Sequence, residues 1–146
     1  MALSESREVV IEATPEEILD VIADVESASE WSPQYESCEV LSRHDDGRPK
    51  QTKMVVKTVG ISDTMVIEYS WTDTGASWTL VSAGQLKTQE AKYTLTPHGD
   101  KTKVRFDMTV ATLIPIPGFL LKRALKGGMV TATDGLRKRV LELKKG

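Results

Sequence analysis

His44 and His98 are the only imidazoles in this 146-residue chain, and Cys38 is the only thiol. Both histidines fall in or beside polar turns, His98 within Pro97-His98-Gly99-Asp100, and neither has a His, Glu or Cys at ligand spacing. They read as surface histidines, and no metal is expected. A single cysteine excludes an intramolecular disulfide and a thiolate zinc site. No Gly-x-Ser-x-Gly, phosphate-binding glycine loop or dinucleotide fingerprint occurs, so no cofactor is expected. What remains for chemistry is a set of carboxylates, Glu68, Glu90 and Asp107, and a set of polar side chains, Tyr69, Gln89 and Tyr93. General acid or base work would require one of them to point into an enclosed site.

Their direction depends on the elements that carry them. Arg7 to Ala13 alternates as a strand with Val9, Ile11 and Ala13 on one face. Thr14-Pro15-Glu16-Glu17 then caps and starts a helix running to about Ala23, with Ile18, Leu19 and Ile22 as its buried stripe. A further helical turn presents Trp31, expected to be buried, before a reversal at Pro33. From there the period is two. Strands are predicted over Tyr35 to Arg43, Gln51 to Val59, Thr64 to Thr72, Ser77 to Ser82, Leu86 to Thr96 and Lys103 to Thr112. The turns between them are too short for helical crossovers, so consecutive strands are antiparallel neighbours.

One face of this meander collects Met54, Val56, Met65, Ile67, Tyr69, Trp71, Trp78, Leu80, Ala91, Tyr93, Leu95, Val104, Phe106, Met108 and Val110. The other collects Lys53, Lys57, Glu68, Glu90, Lys92, Lys103, Arg105 and Asp107, as in a sheet covered on one side. The carboxylates therefore alternate onto the solvent face, which favours binding over catalysis. In the middle strands Val55 and Val59 compete with Met54 and Val56 for the inward register.

The C-terminal residues change to a helical period. Leu121, Leu125, Met129, Ala132, Leu136, Val140 and Leu143 recur at spacings of three and four. About 25 residues at roughly 1.5 Å each span some 38 Å, enough to cross the whole sheet on its concave side. Gly127-Gly128 lies inside this helix, where each glycine costs about 1 kcal/mol relative to alanine. The pair makes room for a ligand, lets the helix flex, or permits close packing against a sheet aromatic.

Apolar residues are 40% and charged residues 27%, with mean hydropathy −0.25. This describes a globular domain over residues 1–146, and MALSESREVV shows no basic region followed by an apolar core, so the expected address is cytoplasmic. The net charge of −2 gives no general attraction to nucleic acid. Charge is nonetheless uneven: residues 117–146 carry eight basic and two acidic side chains, net +6, leaving −8 elsewhere. Ile114, Ile116, Phe119 and Leu120 beside these cations allow a transient contact with an anionic membrane surface; the alternative is an ordinary solvated helix face.

The order of strand, two short helices, six-stranded meander and long helix is that of the helix-grip fold. The stretch ATPEEILDVIADVESASEWSP, with Ala13, Pro15 and Ile18 at the strand-to-helix entry, Asp24 at the helix end and the turn Glu30-Trp31-Ser32-Pro33, resembles the opening of the START-like (SRPBCC) superfamily. That superfamily includes polyketide cyclase/dehydrase and coenzyme-Q-binding proteins. The resemblance implies an α+β domain whose curved seven-stranded antiparallel sheet grips the C-terminal helix around an apolar cavity. Lining residues are expected to be Met54, Val56, Met65, Ile67, Tyr69, Trp78, Leu80, Gln89, Ala91, Tyr93, Phe106, Met108, Leu121, Leu125 and Met129. The expected partner is a small hydrophobic molecule such as a lipid, quinone, sterol-like compound or polyketide, bound by a monomer or weak dimer. A cyclase/dehydrase acting in the same cavity and a toxin-type interaction module are the alternatives.

Overall fold

The computed structural model describes residues 2–58, 61–113 and 115–145. Strand β1 (Ala2–Ile11) begins five residues earlier than the alternation suggests, because Ala2 to Ser6 pair with β7 although they offer few apolar side chains. Helix α1 (Pro15–Ala23) opens on a reciprocal cap: the Glu17 N–H donates to Thr14 Oγ1 at 3.1 Å, and the Thr14 N–H donates to Glu17 Oε1 at 2.9 Å. These bonds hold the Glu17 carboxyl below its usual range. A 3-10 segment (Val25–Glu30) follows.

The meander comprises β2 (Tyr35–Arg43), β3 (Pro49–Thr58), β4 (Ile61–Thr72), β5 (Gly75–Ala83), β6 (Leu86–His98) and β7 (Lys101–Thr112). All neighbours are antiparallel, and the sheet order is β1-β7-β6-β5-β4-β3-β2. Register shifts in β2, between Val66 and Ile67, and between Leu86 and Thr88 bend the strands. The register between Met54 and Val55 resolves in favour of Met54 and Val56, both buried, while Val55 is only half-buried; Val59 lies outside the described residues. Pro97 and His98 extend β6 and pair with Thr102 and Lys101, so the turn contracts to Gly99-Asp100, with Gly99 at φ 64°. His44 is not a free surface histidine: it is half-buried, and its Nε2 lies 3.0 Å from the Tyr69 carbonyl.

The inward face of the sheet, α1 and the C-terminal helix share one core, in which Ile11, Ile18, Ile67, Val104 and Leu136 have no exposed surface. This is the α+β helix-grip arrangement, with one difference in the last helix. Instead of one uniform helix, α2 (Gly118–Val130) and α3 (Leu136–Lys145) are joined by a π turn (Thr131–Gly135). There the Leu136 N–H reaches the Thr131 carbonyl, five residues back, rather than that of Ala132. The buried residues run Leu121, Leu125, Met129, Thr133, Leu136 and Val140, whereas Leu143 is 52% exposed. Three successive spacings of four drift by about 40° each around an ideal α-helix; the wider turn takes up the drift and keeps Met129 and Thr133 on the buried side.

The two halves of this helix are held differently. In α3, Arg137 pairs with Glu12 at 2.9 Å, Arg139 with Glu30 at 3.6 Å and Lys144 with Glu17 at 3.4 Å. Among the described residues the α2 cations Lys122, Arg123 and Lys126 make no ion pair. Nor are Gly127 and Gly128 packed against an aromatic, since a Cβ on either would meet nothing within 4 Å. Close packing is therefore not their role. Gly127→Ala is expected to stabilise the fold by about 0.5–1 kcal/mol through helix propensity alone. Urea unfolding measures this; a destabilised variant would show that the glycine conformation is needed.

Candidate functional site

The sheet meets the helices fully at one end only. Near α1, the Arg48 guanidinium donates to the Leu19 carbonyl at 3.0 Å, pairs with Asp20 at 3.2 Å and lies 5.3 Å above the Trp71 ring. The Trp71 indole N–H in turn donates to the Pro49 carbonyl at 2.8 Å. Tyr69 stacks on Trp71 with centroids 5.2 Å apart and tilts against Trp78 at 5.4 Å. That end is solid.

At the other end, where β3 and β7 finish and β4 and β6 begin, a cavity of about 170 Å³ separates the sheet from α2. Of the fifteen side chains expected to line a cavity, Val56, Met65, Trp78, Gln89, Tyr93, Phe106, Met108, Leu121 and Leu125 do so. Met54, Ile67, Tyr69, Leu80, Ala91 and Met129 do not. They share the inward parity, but Met54, Ile67, Tyr69, Ala91 and Met129 are all sealed in the core, at 2%, 0%, 4%, 5% and 3% exposure. Leu80 is half-buried at the edge of that core. Alternation gives the face of a strand and not the position along it where the layers separate.

Sequence reasoning missed several lining residues. Trp31, expected in the core, is half-buried and forms part of the wall, its ring lying beside Gly135, where an added Cβ would meet it at 3.7 Å. Tyr35, Gln34 and Ser32 follow it in the same loop and strand, and Asp63, Gln85 and Leu86 sit at the mouth with Ile116. The signal available was the Trp-Ser-Pro-Gln-Tyr run itself, which places two aromatics on either side of a reversal. On α2, Ala124 and Gly128 join Leu121 and Leu125, so small residues leave the space that the sheet aromatics do not fill.

Most polar groups in the wall are turned on each other. The Trp78 indole N–H donates to Gln89 Oε1 at 3.1 Å, and Gln34 Nε2 donates to Thr131 Oγ1 at 3.1 Å. The Tyr93 hydroxyl donates to the Ala132 carbonyl in the π turn at 2.9 Å. Asp63 accepts the backbone N–H groups of Gly84 and Gln85 at 3.0 and 2.9 Å. The Tyr35 hydroxyl has no hydrogen-bond partner among the described residues. Burial raises the hydroxyls of Tyr35 and Tyr93 above the usual tyrosine range, so both stay protonated at any physiological pH. Cys38, half-buried on β2, is likewise pushed up by burial, to about 11, which makes it a poor nucleophile. Among the described residues no group of His, Cys, Asp and Glu is placed to hold a metal ion, and no helix is long and apolar enough to cross a membrane.

With this geometry in place, the chain compares with known proteins as follows. Residues 3–141 match the family model described as polyketide cyclase/dehydrase and lipid transport. A START superfamily protein from Mycobacterium smegmatis is 26% identical and superposes with a TM-score of 0.85, covering 96% of this chain and 98% of that one. A protein from Thermus thermophilus is 24% identical with a TM-score of 0.80, covering 97% and 99% of the two chains. An aromatase/cyclase from Streptomyces sp. R1128, 12% identical and covering 96% and 94%, reaches the same TM-score of 0.80 and so shares the fold. No curated protein sequence matches the chain.

The Tyr93 bond is one polar link between cavity wall and helix. Tyr93→Phe removes the donor and leaves the Ala132 carbonyl without it, an expected loss of about 1–3 kcal/mol in urea unfolding. Parental stability in the variant would show that the bond contributes nothing.

Proposed function

The chain belongs to the polyketide cyclase/dehydrase and lipid transport family, and from that premise we propose that it binds a small hydrophobic molecule in the cavity between sheet and α2, for carriage or sequestration, as a monomeric or weakly associating cytoplasmic domain. The observation that carries this reading is the unfilled space opposite Ala124 and Gly128, walled by Trp31, Trp78, Tyr93 and Phe106. Aromatic and aliphatic walls with a few placed polar groups are what an apolar ligand requires. Met65 and Met108 add flexible, polarizable surface that adapts to its outline.

Volume bounds the guest. A dry cavity of about 150 Å³ in another protein accommodates benzene, so 170 Å³ takes a single ring or a short branched chain. A fused polyketide or a full acyl chain requires α2 to move outward. The unengaged Tyr35 hydroxyl supplies one hydrogen bond, which fits a ligand with one phenol, ketone or ester oxygen.

The same wall favours binding over ring closure. Water loss or cyclisation needs a group that exchanges a proton near neutral pH. Among the described lining residues Asp63 is the carboxylate, its oxygens engaged by Gly84 and Gln85, and the tyrosines are held protonated. A toxin-type module acting through its surface needs no such cavity.

Displacement of an anilinonaphthalene dye by single-ring phenols and short-chain esters tests the reading. Binding is expected in the parent and at least tenfold weaker in Ala124→Trp, whose indole fills the space without disturbing α3. Failure of every apolar probe to bind, or unchanged binding in the variant, would reject it.

A further inference from the structure

The outer face of α2 shows a pattern that the cavity does not explain. Phe119, Lys122, Arg123 and Lys126 are spaced at i, i+3, i+4 and i+7, so they share one exposed helix face, turned about 110° from the buried stripe of Leu121, Leu125 and Met129. Phe119 is 69% exposed, and Leu113, just before the helix, is 59% exposed. Of the four apolar residues that the sequence suggests for this tip, Ile116 is half-buried in the cavity wall, Leu120 is half-buried, and Ile114 lies outside the described residues. The exposed apolar tip is therefore Leu113 and Phe119.

The cations beside it differ from the paired ones further along the helix. Arg137, Arg139 and Lys144 are neutralised by Glu12, Glu30 and Glu17, whereas Lys122, Arg123 and Lys126 have no acidic partner among the described residues. No Asp or Glu occurs between Leu113 and Thr133. Three uncompensated positive charges thus stand on a molecule whose net charge is −2. This patch adjoins the cavity: the Leu113 N–H donates to the Gln85 carbonyl at 2.8 Å, and Gln85, Ile116 and Leu121 all line the cavity.

We propose that this face docks the protein on a bilayer surface rich in anionic lipid, with Phe119 and Leu113 entering the acyl boundary and Lys122, Arg123 and Lys126 meeting the phosphates. An aromatic and an aliphatic side chain exposed beside cations suit an interface that is apolar below and anionic above. A nucleic acid would engage the lysines but has no use for an exposed leucine. Docked this way, the cavity mouth faces the membrane, and a lipophilic guest enters or leaves without crossing bulk water. That consequence rests on the ligand-binding reading; the docking itself does not.

The test is co-sedimentation with phosphatidylserine-rich vesicles against pure phosphatidylcholine vesicles, with no cavity ligand present. Binding to the anionic vesicles alone is expected, weakening as salt is raised. The combined Lys122→Gln, Arg123→Gln and Lys126→Gln variant is expected to bind about a hundredfold more weakly, from the usual contribution of each cation near such a surface. Phe119→Ser is expected to lose about tenfold or more. All four side chains are solvent-facing, so thermal melting should match the parent. Equal binding to both vesicle types, parental binding by the triple-glutamine variant, or a single-stranded oligonucleotide bound more tightly than the vesicles would overturn the proposal. Because Ala124→Trp blocks the cavity and leaves the outer face intact, its unchanged vesicle binding separates failure of docking from failure of ligand uptake.

Discussion

Tyr93 reaches from β6 to the Ala132 carbonyl at 2.9 Å, and Arg7 reaches from β1 to Thr133 at 2.9 Å and to Asp134 at 2.8 Å. Gln34, at the start of the meander, adds a third tie through Thr131. These bonds converge on four consecutive residues of the last helix, where the Thr131 and Thr133 hydroxyls already bond back to the Gly127 and Met129 carbonyls. The helix is thus fastened in its middle from both edges of the sheet, and what lies on either side of the fastening follows from that. A straight rod held at one point over a curved surface approaches the surface on one side and leaves it on the other.

Each side has a composition that suits its situation. Beyond the π turn, Leu136 and Val140 are fully buried, and the outer face carries Arg137, Arg139 and Lys144, whose partners are Glu12 just past β1, Glu30 of the 3-10 segment and Glu17 of α1. Exposed ion pairs of this kind contribute little to stability individually, but they fix orientation where packing is already complete. Before the turn the inward face offers Leu121, Ala124, Leu125 and Gly128 to a wall of aromatics, and among the described residues no ion pair holds the helix down. Stability is concentrated in α3, and the open volume lies under α2. Local opening should accordingly begin in α2, where few buried contacts oppose it.

Much of this was legible in the residues. Seven strands, the cap at Thr14, the inward parity of the meander and the helical stripe all follow from period and turn chemistry, because one side of the sheet is wet and the other is not. The hollow was only half legible. Period two puts Ile67 and Met65 on the same face, yet one is sealed in the core and the other faces open space, because depth along a strand depends on where distant layers diverge. Trp31 illustrates the opposite difficulty: a large aromatic after a helical turn reads as core, but it stands between the cavity and the surface groove formed by α1 and α3. The π turn left a trace in the spacing of buried residues, hidden because Thr133 is polar and Ala132 next to it looked the better core candidate.

The wide turn at Thr131 to Gly135 also sets the rotational phase of everything before it. Successive residues of an α-helix are about 100° apart, so losing one position from this segment would spin α2 by roughly that angle relative to α3. Leu121 and Leu125 would then take the exposed places of Lys122 and Lys126, and Arg123 the place of Ala124 on the cavity wall. A single supernumerary residue is in that sense the gear tooth that meshes a greasy side with the sheet; shortening this stretch by one codon would unmesh Leu121 and Leu125 while leaving the strands untouched.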